Sequence, residues 1–228
     1  MDAETATAEK PARKQQQRSI KTRQKLLDAA LEAFSENGFK GTSTRDIAER
    51  AGVHHPLITY HFKNKEELWR AAADRVFSEF TAVLIDARRN AAHRSPRERM
   101  ASMIRTYVRY AAKKPALHKL MLQESSRSSS RLDWLIDMHL RPLYLSVVDE
   151  LRPLQASGIA PAGDPALLFN LIRVTSGGTL ALALEIRDTS GIDFDQDDNV
   201  EALADMIVRV FLPGSEERAS DRPDANDT

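Results

Sequence analysis

Hydrophobic positions recur every three or four residues along most of the chain, which is the spacing of an amphipathic α-helix. Leu27, Leu31 and Phe34 follow this spacing in the first such segment. No segment shows the sustained alternation of β-branched and polar residues that is typical of a strand. We therefore predict an all-α protein of about nine helices.

Polar residues and breakers mark where these helices begin and end. Ser43 and Ser95 each precede an acidic residue by three positions, which is the pattern of a capping box. Pro56 fits only the first turn of a helix, and Gly52 provides a tight turn just before it. Three short helices within the first 65 residues, the second and third joined by this turn, predict a helix-turn-helix unit.

The C-terminal half contains the longest apolar stretches. Residues 131–151 are predicted to be helical, with a kink or division at Pro142. Asp164–Arg187 is predicted as one helix that is apolar nearly all round, so it needs cover on both sides. Its small residues, among them Gly177, would let another helix approach closely. A final amphipathic helix is expected over Asp198–Leu212.

Composition restricts the kind of protein. Cysteine is absent and 42% of residues are hydrophobic, so a disulfide framework is excluded and a large core is expected. No metal-ligand cluster, phosphate loop, dinucleotide fingerprint or serine nucleophile motif occurs, and we expect no cofactor, no metal and no enzymatic activity. The chain shows neither a signal-peptide pattern nor 18 consecutive apolar residues, which predicts a cytoplasmic protein without a membrane partner.

Charge is distributed unevenly although the net charge is zero. Residues 1–65 hold 12 Lys or Arg and 8 Asp or Glu, and the stretch from Lys10 to Lys25 has seven basic residues and no acidic one. Such asymmetry favours a polyanionic partner at this end of the chain. Residues 1–18 are predicted as a disordered arm, which is either a solvated tail or a segment that touches phosphates.

Two segments carry a specific resemblance. TRDIAERAGV at residues 44–53 and ITYHFKNKEEL at residues 58–68 resemble the tetracycline-repressor (TetR) family, and the resemblance extends over residues 22–68. It implies a DNA-binding head and a divergent helical body that binds a small-molecule effector. It also implies a homodimeric transcriptional repressor whose effector lowers its affinity for a palindromic, double-stranded operator.

This resemblance also implies a domain organisation. The helix-turn-helix domain is expected at residues 19–65, the effector-binding and dimerisation domain at residues 66–212, and a disordered tail at residues 213–228. The two apolar helices Asp164–Arg187 and Asp198–Leu212 would form the dimer interface, with an ordinary intrachain core as the alternative.

Residues matching the family's DNA contacts fall into three groups. From the two helices of the motif, six residues are expected to reach bases or phosphates: Thr44, Arg45, His55, Pro56, Leu57 and Thr59. Tyr60 and His61 are expected to contact the DNA backbone, and Lys65 is expected to bind a phosphate. The His54-His55-Pro56 start and Thr59 depart from the common pattern, which leaves the operator sequence open. Packing against the adjacent helix is the alternative for Tyr60.

The effector site is expected between residues 100 and 173. Its candidate residues are Met103, Tyr107, Met121, Glu124, Trp134, Met138, Phe169, Asn170 and Arg173. Methionines at helical spacing are also typical of an ordinary core. Arg173 is the more informative residue, because a buried arginine needs a partner: an acidic or carbonyl-bearing ligand, an interface residue or Glu124.

Other functions remain open on sequence alone. Docking to DNA does not fix the sign of regulation, so an activator of the same fold is one alternative. A sequence-tolerant DNA-bending protein is another, and it would show similar affinity for operator and random DNA.

Overall fold

The computed structural model describes residues 5–214, with side chains from residue 15 onward. Residues 5–214 form helices joined by short connections, and no strand occurs among them, which confirms the predicted all-α class. Residues 1–4 and 215–228 lie outside the described residues, and most of the predicted C-terminal tail falls there. The helices are α1 (Thr5–Gly41), α2 (Thr44–Arg50), α3 (Pro56–His61), α4 (Lys65–Asn90), α5 (Pro96–Lys113), α6 (Ala116–Ser125), α7 (Ser130–Leu135), α8 (Arg141–Ala156), α9 (Pro165–Arg173), α10 (Thr179–Ala181), α11 (Ala183–Ser190) and α12 (Asp197–Phe211).

Capping accounts for the start of several helices. The Ser43 hydroxyl accepts a hydrogen bond from the Asp46 amide at 3.1 Å, and the Asp46 carboxylate accepts one from the Ser43 amide at 3.2 Å. Ser95 forms the same reciprocal box at the start of α5. Pro56 occupies the first turn of α3 and Gly52 has a positive φ of 63°. These four sequence predictions are confirmed.

α1 differs from the sequence expectation at its N-terminal end. Residues 5–18, predicted as part of a disordered arm, are helical and continuous with the rest of α1. Alanine, lysine, arginine and glutamine dominate this stretch and all favour helix. At the other end, Gly38 breaks the helical geometry with φ 67° and ψ 173°.

Two long helices predicted from the sequence are interrupted. A π-helical turn at Ile136–Leu140 separates α7 from α8, just before Pro142. Proline lacks an amide hydrogen and clashes with the carbonyl four residues earlier, which explains a division here. The expected single helix over Asp164–Arg187 is wrong: a π-helical turn at Val174–Gly178 follows α9, and the chain bends by 71° between α10 and α11.

One continuous set of buried side chains links the head to the body. Leu26 and Phe34 of α1 and Ile58 of α3 belong to the same hydrophobic cluster as Trp69 of α4 and Leu120 of α6. A second cluster joins α5, α8, α9 and α12. The boundary predicted after residue 65 stays a prediction, since α4 belongs to the same cluster as the helices before it.

No individual helix within residues 5–214 has the length and apolar character needed to cross a membrane. The bent pair 165–181 and 183–190 meets that test only when its two halves are counted together.

Candidate functional site

The surface formed by α2 and α3 is held from behind by a small apolar core. Ile47, Ile58 and Phe62 are almost completely buried. Ala48 of α2 is buried with them, and most of the other side chains of the two helices are exposed. Arg45 and His55 are exposed, and the Arg45 guanidinium makes no ion pair in the part of the chain that the structure describes. The arrangement presents a rigid, solvated ridge.

The predicted DNA-contact residues lie together on this ridge. His55 comes directly before α3, and its Nε2 lies 3.0 Å from the Thr44 hydroxyl at the start of α2. Pro56 and Thr59 are exposed, and Leu57 is half-buried. The contact between Thr44 and His55 ties the first turn of one helix to the start of the next.

Tyr60 and His61 extend the same surface towards α4. The Tyr60 side chain is 74% exposed, so it does not pack against the adjacent helix as the alternative had it. Its ring meets the His61 ring edge-on, with centroids 4.9 Å apart. Burial, and then the positive charge of Arg23, lower the pKa of His61. A neutral His61 can both donate and accept a hydrogen bond.

Lys65 is less free than the sequence suggested. Its Nζ donates hydrogen bonds to the carbonyl oxygens of Phe39 at 2.8 Å and Thr42 at 2.9 Å. The same ammonium lies 4.4 Å from the centroid of the Phe39 ring. An ammonium group has three donors, so one remains for a phosphate. Lys65 therefore also caps carbonyl groups at the C-terminal end of α1.

A cavity of about 410 Å³ lies inside the body between α4, α5, α8 and α9. Its walls are mainly aliphatic and aromatic. Its lining residues are Phe77, Phe80, Thr81, Leu84, Met100, Met103, Ile104, Tyr107, Leu117, Met121, Ser125, Leu132, Ile136, His139, Leu140, Arg141, Leu143, Tyr144, Val147, Phe169, Asn170, Ile172 and Arg173. Ligand-binding cavities are typically roughly 300–1,000 Å³ and mostly apolar, with a few polar groups.

Six of the nine residues expected at the effector site line this cavity. They are Met103, Tyr107, Met121, Phe169, Asn170 and Arg173. The other three are not among the lining residues: Glu124 bonds to Arg131, Trp134 packs against Trp69, and Met138 is 56% exposed. Helical spacing alone did not reveal that Glu124, Trp134 and Met138 face the head–body junction or solvent.

A polar group lies against the α9 end of the cavity. The Tyr107 hydroxyl is 2.6 Å from Nε2 of His118 and 3.4 Å from the carbonyl oxygen of Arg173. Burial, and then the charge of Arg173, lower the pKa of His118 to about 4, so the imidazole is neutral near pH 7. Nδ1 of His118 is buried without a hydrogen-bond partner.

Gly177 explains how His118 reaches this position. It lies in the π-helical turn after α9, and a Cβ atom at this residue would overlap the His118 ring. Because glycine has no side chain, the His118 ring of the same chain can approach the backbone here. The sequence had instead suggested that Gly177 allows the approach of another helix.

Two features could not be read from the sequence: one wall of the cavity and one contact between the head and the body. α4 contributes Phe77, Phe80 and Leu84 to the cavity, but their apolar spacing is the same as that of a filled core. Arg131 joins Glu124 and lies 3.9 Å from the centroid of the Phe39 ring, a contact that no local pattern indicates. Across the residues that the structure describes, no cluster of three His, Asp or Glu is arranged to hold a metal ion.

Comparison with known proteins bears on these features. Residues 26–79 match the family described as "Bacterial regulatory proteins, tetR family". The transcriptional regulator AcrR of Shigella flexneri is 47% identical over 58 residues, which are 25% of this chain and 27% of AcrR. The "Probable HTH-type transcriptional regulator YttP" of Bacillus subtilis is 25% identical over 121 residues, 53% of this chain and 58% of YttP. The chain thus spans less than two thirds of the length of either relative.

Solved structures show the same fold over most of the chain. The regulator FadR of Bacillus subtilis, crystallised in complex with stearoyl-CoA, aligns with a TM-score of 0.62 at 20% sequence identity. The alignment covers 85% of this chain and 99% of FadR. At residues 26–79 the head of this chain thus matches the TetR family of bacterial regulatory proteins, and the likeness to FadR shows the fold over most of the chain.

Proposed function

We propose that this protein is a homodimeric transcriptional repressor that binds a palindromic operator through α2 and α3 and releases it when a small molecule fills the cavity. The observation that carries the proposal is the ridge on α2 and α3. Buried Ile47, Ile58 and Phe62 hold it rigid, while Arg45 and His55 project into solvent. A rigid helix with polar side chains at its N-terminal end is what a major groove accepts.

Exposed apolar side chains support the dimer. Leu167, Leu171 and Val174 follow one another at helical spacing along α9 and its extension, and each is more than half exposed. On the neighbouring α12, Met206 and Val210 are one turn apart and similarly exposed. Contiguous apolar surface of this kind is typical of an interface. A two-fold axis through it would present two heads to two operator half-sites.

The proposed interface uses one face of α12. Val200, Ile207, Val208 and Phe211 are buried in the chain's own core. Met206 and Val210 lie on the opposite, exposed face, which is the one assigned to the proposed contact.

α4 connects the cavity to the head. It begins at Lys65, which bonds to the end of α1, and it lines the cavity with Phe77 and Phe80. A ligand that displaces α4 would change the separation of the two heads in the dimer. A coupling of roughly 1–3 kcal/mol between effector and operator is enough for regulation.

The test is selection of genomic DNA fragments by the purified full chain, followed by affinity measurements over a range of salt. We expect a palindromic site bound far more tightly than random DNA. Arg45→Ala should weaken binding at least tenfold, and Lys65→Ala should lower the salt slope by about one unit. Arg152→Ala, on the exposed side of α8, is the matched control and should change neither.

Equal affinity for operator and random DNA would favour the architectural alternative and contradict the proposal. A reporter gene under the selected site separates the two signs of regulation. Repression is expected in the absence of effector, and activation would contradict that part.

A further inference from the structure

We propose that the cavity binds an elongated apolar molecule with one anionic group, and that Arg173 holds this group. The inference rests on the proposed function, because it names the chemical class of the effector at that site.

The walls favour an apolar chain. Aromatic and aliphatic side chains from α4, α5, α6, α8 and α9 surround the cavity, Phe80 and Met103 among them. Its volume of about 410 Å³ lies within the range of roughly 300–1,000 Å³ that is typical of small-molecule sites. Methionines adapt to flexible apolar ligands because they are unbranched.

The charges favour an anion over a cation. The lining includes two guanidinium groups, those of Arg141 and Arg173, but no aspartate or glutamate. A buried ammonium group would find no carboxylate there, and burying an unpaired charge is costly. A carboxylate would instead meet a cationic partner.

The partners of the two arginines single out Arg173. Arg141 already pairs with Asp137, in the π-helical turn just before α8, at 3.2 Å. Arg173 makes no ion pair within residues 15–214, and its side chain donates only to Oδ1 of Asn170 at 3.3 Å. The remaining guanidinium donors form a fork that matches a carboxylate.

The neighbourhood of Arg173 fits the same assignment. Glu124, which was the intrachain alternative as its partner, bonds to Arg131 instead. Tyr107 lies at the same end of the cavity, with its hydroxyl 3.4 Å from the Arg173 carbonyl oxygen. The anionic group would therefore lie at the α9 end, with the chain of the ligand along the apolar remainder.

The experiment compares three probes with the same chain and different head groups: dodecanoate, dodecanol and dodecylamine. Calorimetry on the purified full chain, below the concentration at which each probe aggregates, gives the three affinities. We expect dodecanoate to bind at least tenfold more tightly than dodecanol, and dodecylamine to bind more weakly than either.

Two variants locate the head group. Arg173→Gln should remove the preference for the acid while leaving the affinity for dodecanol unchanged, which also shows that the cavity is intact. Arg141→Gln is the matched control and should keep the preference. Equal binding of acid and alcohol, tighter binding of the amine, no binding of any probe, or an unchanged preference in Arg173→Gln would each overturn the proposal.

The ligand-binding experiment and the operator selection can fail independently of each other. Operator selection needs no ligand, so a protein that binds its operator but prefers the amine refutes the ligand class alone. A protein that binds dodecanoate through Arg173 without any DNA preference leaves the ligand class standing and refutes the regulatory function.

Discussion

Removal of the Arg131 side chain is expected to destabilise the protein by about 3–5 kcal/mol. Arg131 lies in α7, where its Nε is 3.2 and 3.1 Å from the two carboxylate oxygens of Glu124 in α6. The side chains of Arg131 and Glu124 are 17% and 5% exposed. Arg131→Ala would leave the Glu124 carboxylate buried, with the Ser129 hydroxyl at 3.4 Å as its only remaining side-chain donor within residues 15–214.

Other contacts of Arg131 contribute less. Its guanidinium lies 3.5 Å from Glu66, a residue about one third exposed, and such a pair is worth less than about 1 kcal/mol. The contact with the Phe39 ring at 3.9 Å adds about 1–2 kcal/mol. The unpaired carboxylate of Glu124 is therefore the largest part of the expected loss.

Urea unfolding followed by circular dichroism measures the effect. Arg70→Ala is the matched control, because Arg70 pairs with the same Glu66 at 3.2 Å but is 39% exposed. We expect the control to cost about 1 kcal/mol or less. Replacing both partners with apolar residues, Arg131→Met with Glu124→Leu, should recover most of the loss since no buried charge remains.

An equal loss of unfolding free energy in Arg131→Ala and Arg70→Ala would contradict the expected effect of the buried Glu124 carboxylate. That result would mean that water reaches Glu124 in solution. A double replacement as unstable as Arg131→Ala would likewise contradict the unpaired-charge explanation. Because Arg131 joins the body to Phe39 of the head, effector-dependent release of operator DNA should also weaken in Arg131→Ala, measured as the change in operator affinity on adding the effector.

Three further predictions concern the body. Gly177→Ala should lower stability by about 1–3 kcal/mol by overlap with the His118 ring, and a second change, His118→Ala, should reduce that cost; thermal unfolding checks both, and equal costs in the two backgrounds would contradict the clash. Stability should fall by about 3 kcal/mol as pH drops from 6.5 to 4, because unfolded His118 takes up a proton near pH 6.5 and folded His118 only near 4. Urea unfolding of His118→Gln should lack that part of the pH dependence, and an identical pH profile would refute the assignment. Leu171→Glu should weaken the proposed dimer, measured by analytical ultracentrifugation, whereas Ile85→Glu, at a comparably exposed position on α4, should not; equal effects would place the interface elsewhere.

Local rules predicted the head well. Capping at Ser43, the turn at Gly52 and the first-turn proline at Pro56 depend on residues within four positions of one another, so the sequence contains the information needed to place them. The same holds for the start of α5 at Ser95.

The interruptions of the body helices were harder to predict. Pro142 indicated a division, but the sequence did not specify the π-helical turn before it. The break after α9 lies where His118 packs against Gly177, and these two residues are distant in the chain. Apolar periodicity continues across the break, so it predicted one straight helix.

By itself, the sequence determined the helical class, the helix-turn-helix unit and the resemblance of the head to the TetR family, because these depend on short-range spacing and capping. Only the tertiary structure decided that Arg131 rather than Arg173 pairs with Glu124, that Lys65 bonds to the end of α1, and which apolar residues line a cavity. A filled core and a cavity wall need the same hydrophobic side chains at the same helical spacing, and only the packing of distant helices distinguishes them.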